Sequence, residues 1–319
     1  MATAVLCASH TPLMHDGSAG PETATTVQSA FARLADWVRA FSPDMVVQFS
    51  PDHFNGFFYD LMPSFCIAAA AGSIGDWGTQ SGPLDVPEDF ARALAAGVQA
   101  QDIDNVSYRM VVDHGVTQIW EEMFGSVQAF PIVPIFVNAI APPLPSYRRA
   151  RMLGGAVGRH VADTGLKVLF AASGGLSHDP PIPALTTAPD DVRARLIDGR
   201  NPDAAMRAAR EERVRAAGRA AASGQGAQIA LNPEWDRAVL ALFETGDIGA
   251  FDGFNTDDVT RTAGRAENET LAWVAAFAAQ SVAGPIDARV EFYQAIPSWI
   301  AGMAMMFGET AGAPAQHGI

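Results

Sequence analysis

Short apolar runs alternate along the chain with longer stretches in which apolar residues recur every three or four positions. Residues 4–9 (AVLCAS), 45–50 (MVVQFS) and 167–172 (KVLFAA) have the length and near-continuous hydrophobicity of strands covered on both faces. Between them, Val27, Phe31, Leu34, Trp37, Val38 and Phe41 fall at helical spacing within residues 21–41, and residues 88–100 and 147–162 carry the same period. Residues 131–137 (PIVPIFV) predict a further strand. Pro134 has no N–H to give to a ladder, so that strand is expected at an edge or with irregular pairing. Strands alternating with helices predict an α/β fold: a central mixed, largely parallel sheet flanked by helices.

The last third predicts additional C-terminal helices. Residues 202–223 are rich in Ala, Arg and Glu, as in a solvated helix. Asn232-Pro233 supplies an N-cap followed by proline at the first helical position, and starts a helix running to about Glu244. Residues 257–283 are helical in pattern, including LAWVAAFAAQ at 271–280, apolar up to Gln280. From Gly308 the chain is rich in Ala, Gly and Pro and reads as loose. No internal repeat or linker divides it, so we expect one domain over residues 1–308 and a tail over 309–319.

Composition narrows the function. With 49% hydrophobic residues in 319 positions there is ample material for a large core. Lys plus Arg number 21 against 35 Asp plus Glu, a formal net charge of −14, which repels phosphate backbones and argues against a nucleic-acid partner. Cys7 and Cys66 form no CxxC motif and cannot build a disulfide framework; with no signal-peptide pattern at the start, a cytoplasmic location is expected. Met123–Tyr147 is uncharged, but its five prolines forbid a continuous helix, and 270–286 is short and interrupted by polar residues, Gly and Pro. No membrane span is predicted.

The histidines carry the candidate chemistry. His10, His53 and His178 each follow an apolar strand by a few small or polar residues, and His114 follows the short apolar segment Met110–Val112 in VVDHG. Loops at the carboxyl ends of parallel strands share one edge of a sheet, where ligands bind. These histidines can therefore converge although they are distant in sequence. Two imidazoles and a carboxylate form a facial triad suited to ferrous iron, and the same set suits zinc with an activated water. Unligated imidazoles serve as acids or bases. His15, near His10, is a weaker alternative ligand, His160 reads as a surface residue of a helix, and His317 lies in the tail.

Spacing alone does not choose the carboxylate. Asp52, Asp113 and Asp179 each adjoin a histidine, and neighbours on extended chain point apart, so they fit supporting roles better than co-ligand roles. Glu267 and Glu269 directly precede the apolar 271–280 segment. A glutamate entering a buried helix is explained by a metal, and equally by the helix dipole.

Taken together, ASH at 8–10, SPDHFNGFFYD at 50–60, VDHG at 112–115 and SGGLSHDPP at 173–181 resemble the class III extradiol dioxygenases, the LigB-type enzymes that open catechol rings. The resemblance continues to WIAGM at 299–303 and so covers nearly the whole chain. It implies Fe(II) held by His10, His53 and Glu269, with Glu267 as the fallback because the family segment usually has His-Glu where this chain has Asn268-Glu269. It implies acid–base roles for His114 and His178, exchangeable between the two, with Asp113 orienting His114 and with Pro180 and Pro181 stiffening the loop of His178. The implied reaction is cleavage of an alkyl-substituted catechol by O2, by a homo-oligomer. Protocatechuate, gallate and 2-aminophenol are alternative substrates within the class. A zinc-dependent hydrolase using the same residues, and a non-catalytic partner subunit, are alternatives outside it. Phe54, Phe57, Phe58 and Tyr59 could wall the ring pocket or fill core. Arg148, Arg149 and Arg151 are candidates for a substrate carboxylate or for solvated surface.

Overall fold

The three apolar runs read as buried strands, and the further strand read over 131–137, lie side by side at the centre of one sheet. In the computed structural model, which describes residues 2–103 and 106–312, the strands are β1 (Thr3–Ala8), β2 (Met45–Ser50), β3 (Phe65–Ala68), β4 (Ala71–Ile74), β5 (Ser81–Pro83), β6 (Val106–Ser107), β7 (Met110–Val112), β8 (Ile132–Val137), β9 (Val168–Ser173), β10 (Ile286–Ile296) and β11 (Ala301–Thr310). The helices are α1 (Gly20–Phe41), α2 (Glu88–Gln99), α3 (His114–Phe124), α4 (Tyr147–Ala162), α5 (Asp190–Asp198), α6 (Ala204–Ala222), α7 (Pro233–Thr245), α8 (Thr256–Ala263) and α9 (Thr270–Ser281). The main sheet has the order β10-β11-β1-β9-β2-β8-β3-β6. Its centre, β1-β9-β2-β8, is parallel throughout, while β11 joins β1 and β3 joins β8 antiparallel. A small second sheet, β5-β4-β7, sits to the side.

Both faces of the main sheet are covered, which is why its central strands need no alternation. One face packs on α2, α4, α7 and α9 through Leu94, Val157, Phe243 and Phe277. The other packs on α1 and α3 through Phe31, Leu34, Ile119 and Trp120. Helix α9 is buried from Thr270 to Gln280, as its unbroken apolar sequence predicts. Helix α6 buries only Ala217 and Gly218, in keeping with its charged sequence.

Three expectations need correction. Strand β8 lies inside the sheet, between β2 and β3, not at an edge. Pro134 is tolerated there because its nitrogen faces away from β2, on the side to which Ile132 also donates, and the β3 ladder has already ended at Ile135. The stretch read as one helix over 257–283 is broken at Gly264 and passes through a 3-10 turn, Arg265–Glu269, before α9 begins. The chain from Gly308 is not loose at its start: β11 continues to Thr310, with Gly308 paired to Val5 and Ala288. His317 lies outside the described residues. No helix among the described residues is long and apolar enough to cross a membrane.

Helices α4 and α9 pack closely because Gly154 and Gly158, one turn apart, leave room for the α9 backbone. A Cβ on Gly154 would lie 2.0 Å from the carbonyl oxygen of Ala275, and one on Gly158 2.3 Å from that of Ala279. Neither contact can be relieved by rotating a side chain. Gly154→Ala is expected to destabilise the fold by about 1–3 kcal/mol, read as a lowered urea midpoint with unchanged slope.

Candidate active site

At the carboxyl edge of the parallel strands the chain turns back repeatedly over one cavity of about 300 Å³. His10 follows β1, His53 follows β2 and His178 follows β9, so all three reach this edge as their spacing predicts. His114 arrives from the small sheet, as the first residue of α3. The ring centroids of His10 and His53 are 5.2 Å apart, those of His10 and His114 5.3 Å, and those of His53 and His114 4.4 Å.

Each ring but that of His10 is fixed from behind. His53 Nδ1 lies 3.1 Å from Asp113 Oδ2, which also accepts from the His53 backbone N–H at 2.8 Å and from Asn55 Nδ2 at 2.8 Å. With its Nδ1–H given to a carboxylate, His53 presents Nε2 to the cavity, the arrangement that orients metal-ligating histidines. His114 Nδ1 lies 2.6 Å from Asp76 Oδ2, and the His114 N–H donates to Asp76 Oδ1 at 2.8 Å. His178 Nδ1 contacts the carbonyl oxygen of Ile300. A carbonyl only accepts, so Nδ1 carries the proton and Nε2 is left as an acceptor.

The expected partnership of Asp113 with His114 is therefore corrected. Asp113 is the N-cap of α3: its Oδ1 accepts from Gly115 N–H at 2.9 Å, and its Oδ2 faces His53. Turned back over the helix start, it serves a neighbour from another strand. The residue that orients His114 is Asp76, which the sequence reading missed. Strands β4 and β7 are parallel with Ser73 opposite Val112, so Asp76 and His114, a few residues beyond those ends, meet. The signal lay in strand pairing, which no local motif displays. Asp52 accepts from the N–H groups of Asn55, Gly56 and Phe57 and shapes the loop carrying His53. Asp179 does not touch the His178 ring; it holds Arg265 and the Ile229 N–H.

Of the two glutamates, only Glu269 joins the cluster. Its Oε1 is 3.4 Å from His53 Nε2, and its Oε2 accepts the Gly175 N–H at 2.8 Å. Gly174 makes this approach possible: its φ is +144°, and a Cβ there would lie 2.7 Å from Glu269 Cβ. Glu267 faces elsewhere and takes the indole N–H of Trp235 at 3.0 Å. Burial, aided by Asp236, pushes the Glu267 carboxyl well above its ordinary range. Burial opposes charge on Glu269 too, but His53, His10 and His178 outweigh it and hold its carboxyl at about 2. Burial lowers His10 to about 3 and lowers His178, so both are neutral near pH 7. Burial also opposes charge on His53, but Asp113 and Glu269 outweigh it and hold its imidazole well above the ordinary value.

This donor set fits a metal ion. His10 Nε2 and His53 Nε2 are 3.5 Å apart. Two atoms bound to one metal at about 2.1 Å stand roughly 3–3.5 Å apart at octahedral to tetrahedral angles. Glu269 Oε1 is buried, ionised and without a hydrogen bond, because its 3.4 Å contact to His53 lacks hydrogen-bond geometry, and His10 Nδ1 is likewise unpartnered. An orphaned carboxylate oxygen beside two imidazoles is satisfied by a cation. His114 also has a ring nitrogen within 4.8 Å of His10 and His53 donor atoms, but its Nδ1 is committed to Asp76.

The rest of the cavity is mostly apolar. Phe54 and Phe58 line it, whereas Phe57 stacks on Phe136 at 4.1 Å and Tyr59 packs on Phe54 at 5.7 Å. Trp77, Pro180, Pro181 and Trp299 complete the wall. Arg148, Arg149 and Arg151 do not reach it. Arg151 makes a two-point pair with Asp252, and Arg149 lies over Phe65. His15 pairs with Glu122 at the exposed surface, and His160, read as a surface residue, is half-buried against Phe90.

Comparison with known proteins shows a family match over nearly the whole chain. The family model described as the catalytic LigB subunit of aromatic ring-opening dioxygenase matches residues 4–304. A Cupriavidus pinatubonensis protein named 2,3-dihydroxyphenylpropionate/2,3-dihydroxicinnamic acid 1,2-dioxygenase is 49% identical, over 96% of this chain and 98% of its own. A Rhodococcus protein of the same name is 50% identical, over 94% and 96%. An uncharacterized Escherichia coli K12 protein of known structure aligns with a TM-score of 0.54 at 12% identity, covering 95% of this chain and 98% of its own, which speaks to the fold alone.

Asp113→Asn keeps the shape at position 113 but removes the charge behind His53. It is expected to weaken metal binding by about 10–100-fold, measured by competition with a chelator, while Asp76→Asn leaves metal affinity near that of the parent.

Proposed function

The chain belongs to the LigB family of aromatic ring-opening dioxygenases, and from that premise we propose that it cleaves 3-(2,3-dihydroxyphenyl)propionate beside its two hydroxyls, using Fe(II) and inserting both atoms of O2 to give a 2-hydroxy-6-oxo-dienoate. The observation that carries this reading is the meeting, in one mostly apolar cavity, of a two-histidine, one-glutamate donor set with two further oriented histidines. Catechol and oxygen are thus the reactants, and the chain acts as a homo-oligomer in the cytoplasm.

His10, His53 and Glu269 would hold the iron. Bound there, ferrous iron offers open coordination positions where the two catechol oxygens and dioxygen can be brought together. The protein's own residues manage protons and water. His178 is neutral, and its Nε2 is a bare acceptor because Nδ1–H is committed to Ile300. It is suited to take the proton of a catechol hydroxyl. His114 has its Nδ1 fixed on Asp76, which orients the ring and leaves Nε2 free to exchange a proton. It is suited to carry a proton to the opposite side of the ring. Phe54, Phe58 and Trp77 place an apolar wall around the ring and limit access of bulk water.

The test is anaerobic loading with Fe(II), then oxygen uptake with 3-(2,3-dihydroxyphenyl)propionate. We expect one O2 per substrate and a yellow product. Iron-loaded protein that takes up no oxygen with this compound, protocatechuate, gallate or 2-aminophenol would overturn the reading.

The pH dependence follows in sign. Burial sets the His178 pKa below its ordinary 6.5. The neutral base is therefore present at pH 7 and is lost only as pH falls through that lowered value. The acid limb of kcat/KM is expected below pH 6.5. His178→Gln should remove that limb and cost about 10²–10⁴-fold in kcat.

A further inference from the structure

The outer part of the cavity has a charge opposite to that of the chain. Arg195, Arg207, Arg210 and Arg213 line it, with Glu211 as the acid among them, in a protein of net charge −14. Three of these arginines, and Glu211, belong to α6, the helix that buries almost nothing of its own. Resting on the catechol-cleavage reading above, we propose that α6 selects the substrate by its side-chain carboxylate, through Arg207 and Arg213.

The remaining charges in this region already have partners. Arg195 pairs with Asp191 at 2.9 Å. Glu211 is neutralised by Arg215 at 3.0 Å, and Glu212 by Arg219 at 2.6 Å. Arg210 donates to the backbone carbonyl of His53 and to Asn55 Oδ1. It thereby ties α6 to the loop that carries His53. Arg207 and Arg213 stand three residues to either side of that tie, about 4.5 Å along the helix axis. Both line the cavity, and neither side chain has an ion pair or hydrogen bond among the described residues.

The chemistry matches. The ring must lie against the histidines, so a substituent beside the hydroxyls points outward, past apolar lining such as Ile182, Val192 and Met206. The two acids named for the relatives, a propionate and a cinnamic acid, both end in a carboxylate three carbons from the ring. A carboxylate entering an apolar channel loses hydration and needs a cation at the far end, and a guanidinium supplies two parallel N–H donors. The selection acts on binding, because the group recognised is remote from the bond that breaks.

The experiment compares 3-(2,3-dihydroxyphenyl)propionate with 3-propylcatechol, of equal side-chain length and no charge, by oxygen uptake of the Fe(II)-loaded protein. R207Q, R213Q and the double variant are set beside R207K, R213K and R219Q, the last lying on α6 outside the cavity lining. For the acid, we expect the double variant to raise KM by roughly 10–100-fold with little change in kcat. For propylcatechol KM should stay at the parent value, and the lysine variants and R219Q should keep the preference for the acid. Equal losses on both compounds, or a double variant that still prefers the acid as the parent does, would overturn the proposal. If the parent cleaves neither compound, the catechol-cleavage reading itself fails, a result distinct from either of these.

Discussion

One buried carboxylate organises this site. Asp113 accepts from the backbone and the ring of His53, from Asn55, and from the first turn of α3. It therefore joins the loop after β2 to the helix after β7, two segments from different sheets. A buried anion with fewer donors would cost several kcal/mol. Here burial, which opposes the charge, is outweighed by His53, His114 and Asn55, and the group stays ionised. The orientation of His53, the closeness of His53 to His114 and the start of α3 all follow from this one side chain.

Charge balance extends the same logic inward. Glu269, Asp113 and Asp76 each face a histidine, and the histidines are ranked by what they face. His53, between two carboxylates, is held well above its ordinary value, while His10, deep among other imidazoles, is lowered by burial. The one ionised oxygen left without a hydrogen bond among these carboxylates is Glu269 Oε1, at the point where His10 and His53 converge. The four histidines thus differ in their backing groups: a carboxylate behind His53 and behind His114, a backbone carbonyl behind His178, and nothing at all behind His10.

The sequence disclosed those features that are local. Fully buried parallel strands show as short apolar runs, and the residues just beyond them must share an edge, so the spacing alone groups His10, His53 and His178. Features set by pairing across the sheet did not show. Asp76 meets His114 only because β4 and β7 run parallel in a particular register. Asp113 sits next to His114 in sequence but serves His53, because an N-cap side chain turns back over its own helix. Strands β10 and β11 escaped notice because the first is half-exposed and the second is rich in Gly, Ala and Met, residues that signal strands weakly. Pro134 misled because a missing N–H matters only where a ladder would have used it. The arginines of α4 look like anion sites in sequence, but Arg151 is spent on Asp252, whereas those of α6 read as solvated surface.

The antiparallel seam between β1 and β11 joins the two ends of the fold, and Ile300, the residue just before β11, supplies the carbonyl that fixes His178. During synthesis, β1, the four site histidines and Glu269 are all made before Ile300 and β11. Until then β1 keeps an open edge and His178 has no anchor, even with every other site residue already made. Assembly of the pocket is therefore tied to the making of Ile300: a chain stopped before it carries all four site histidines yet lacks the carbonyl that fixes His178.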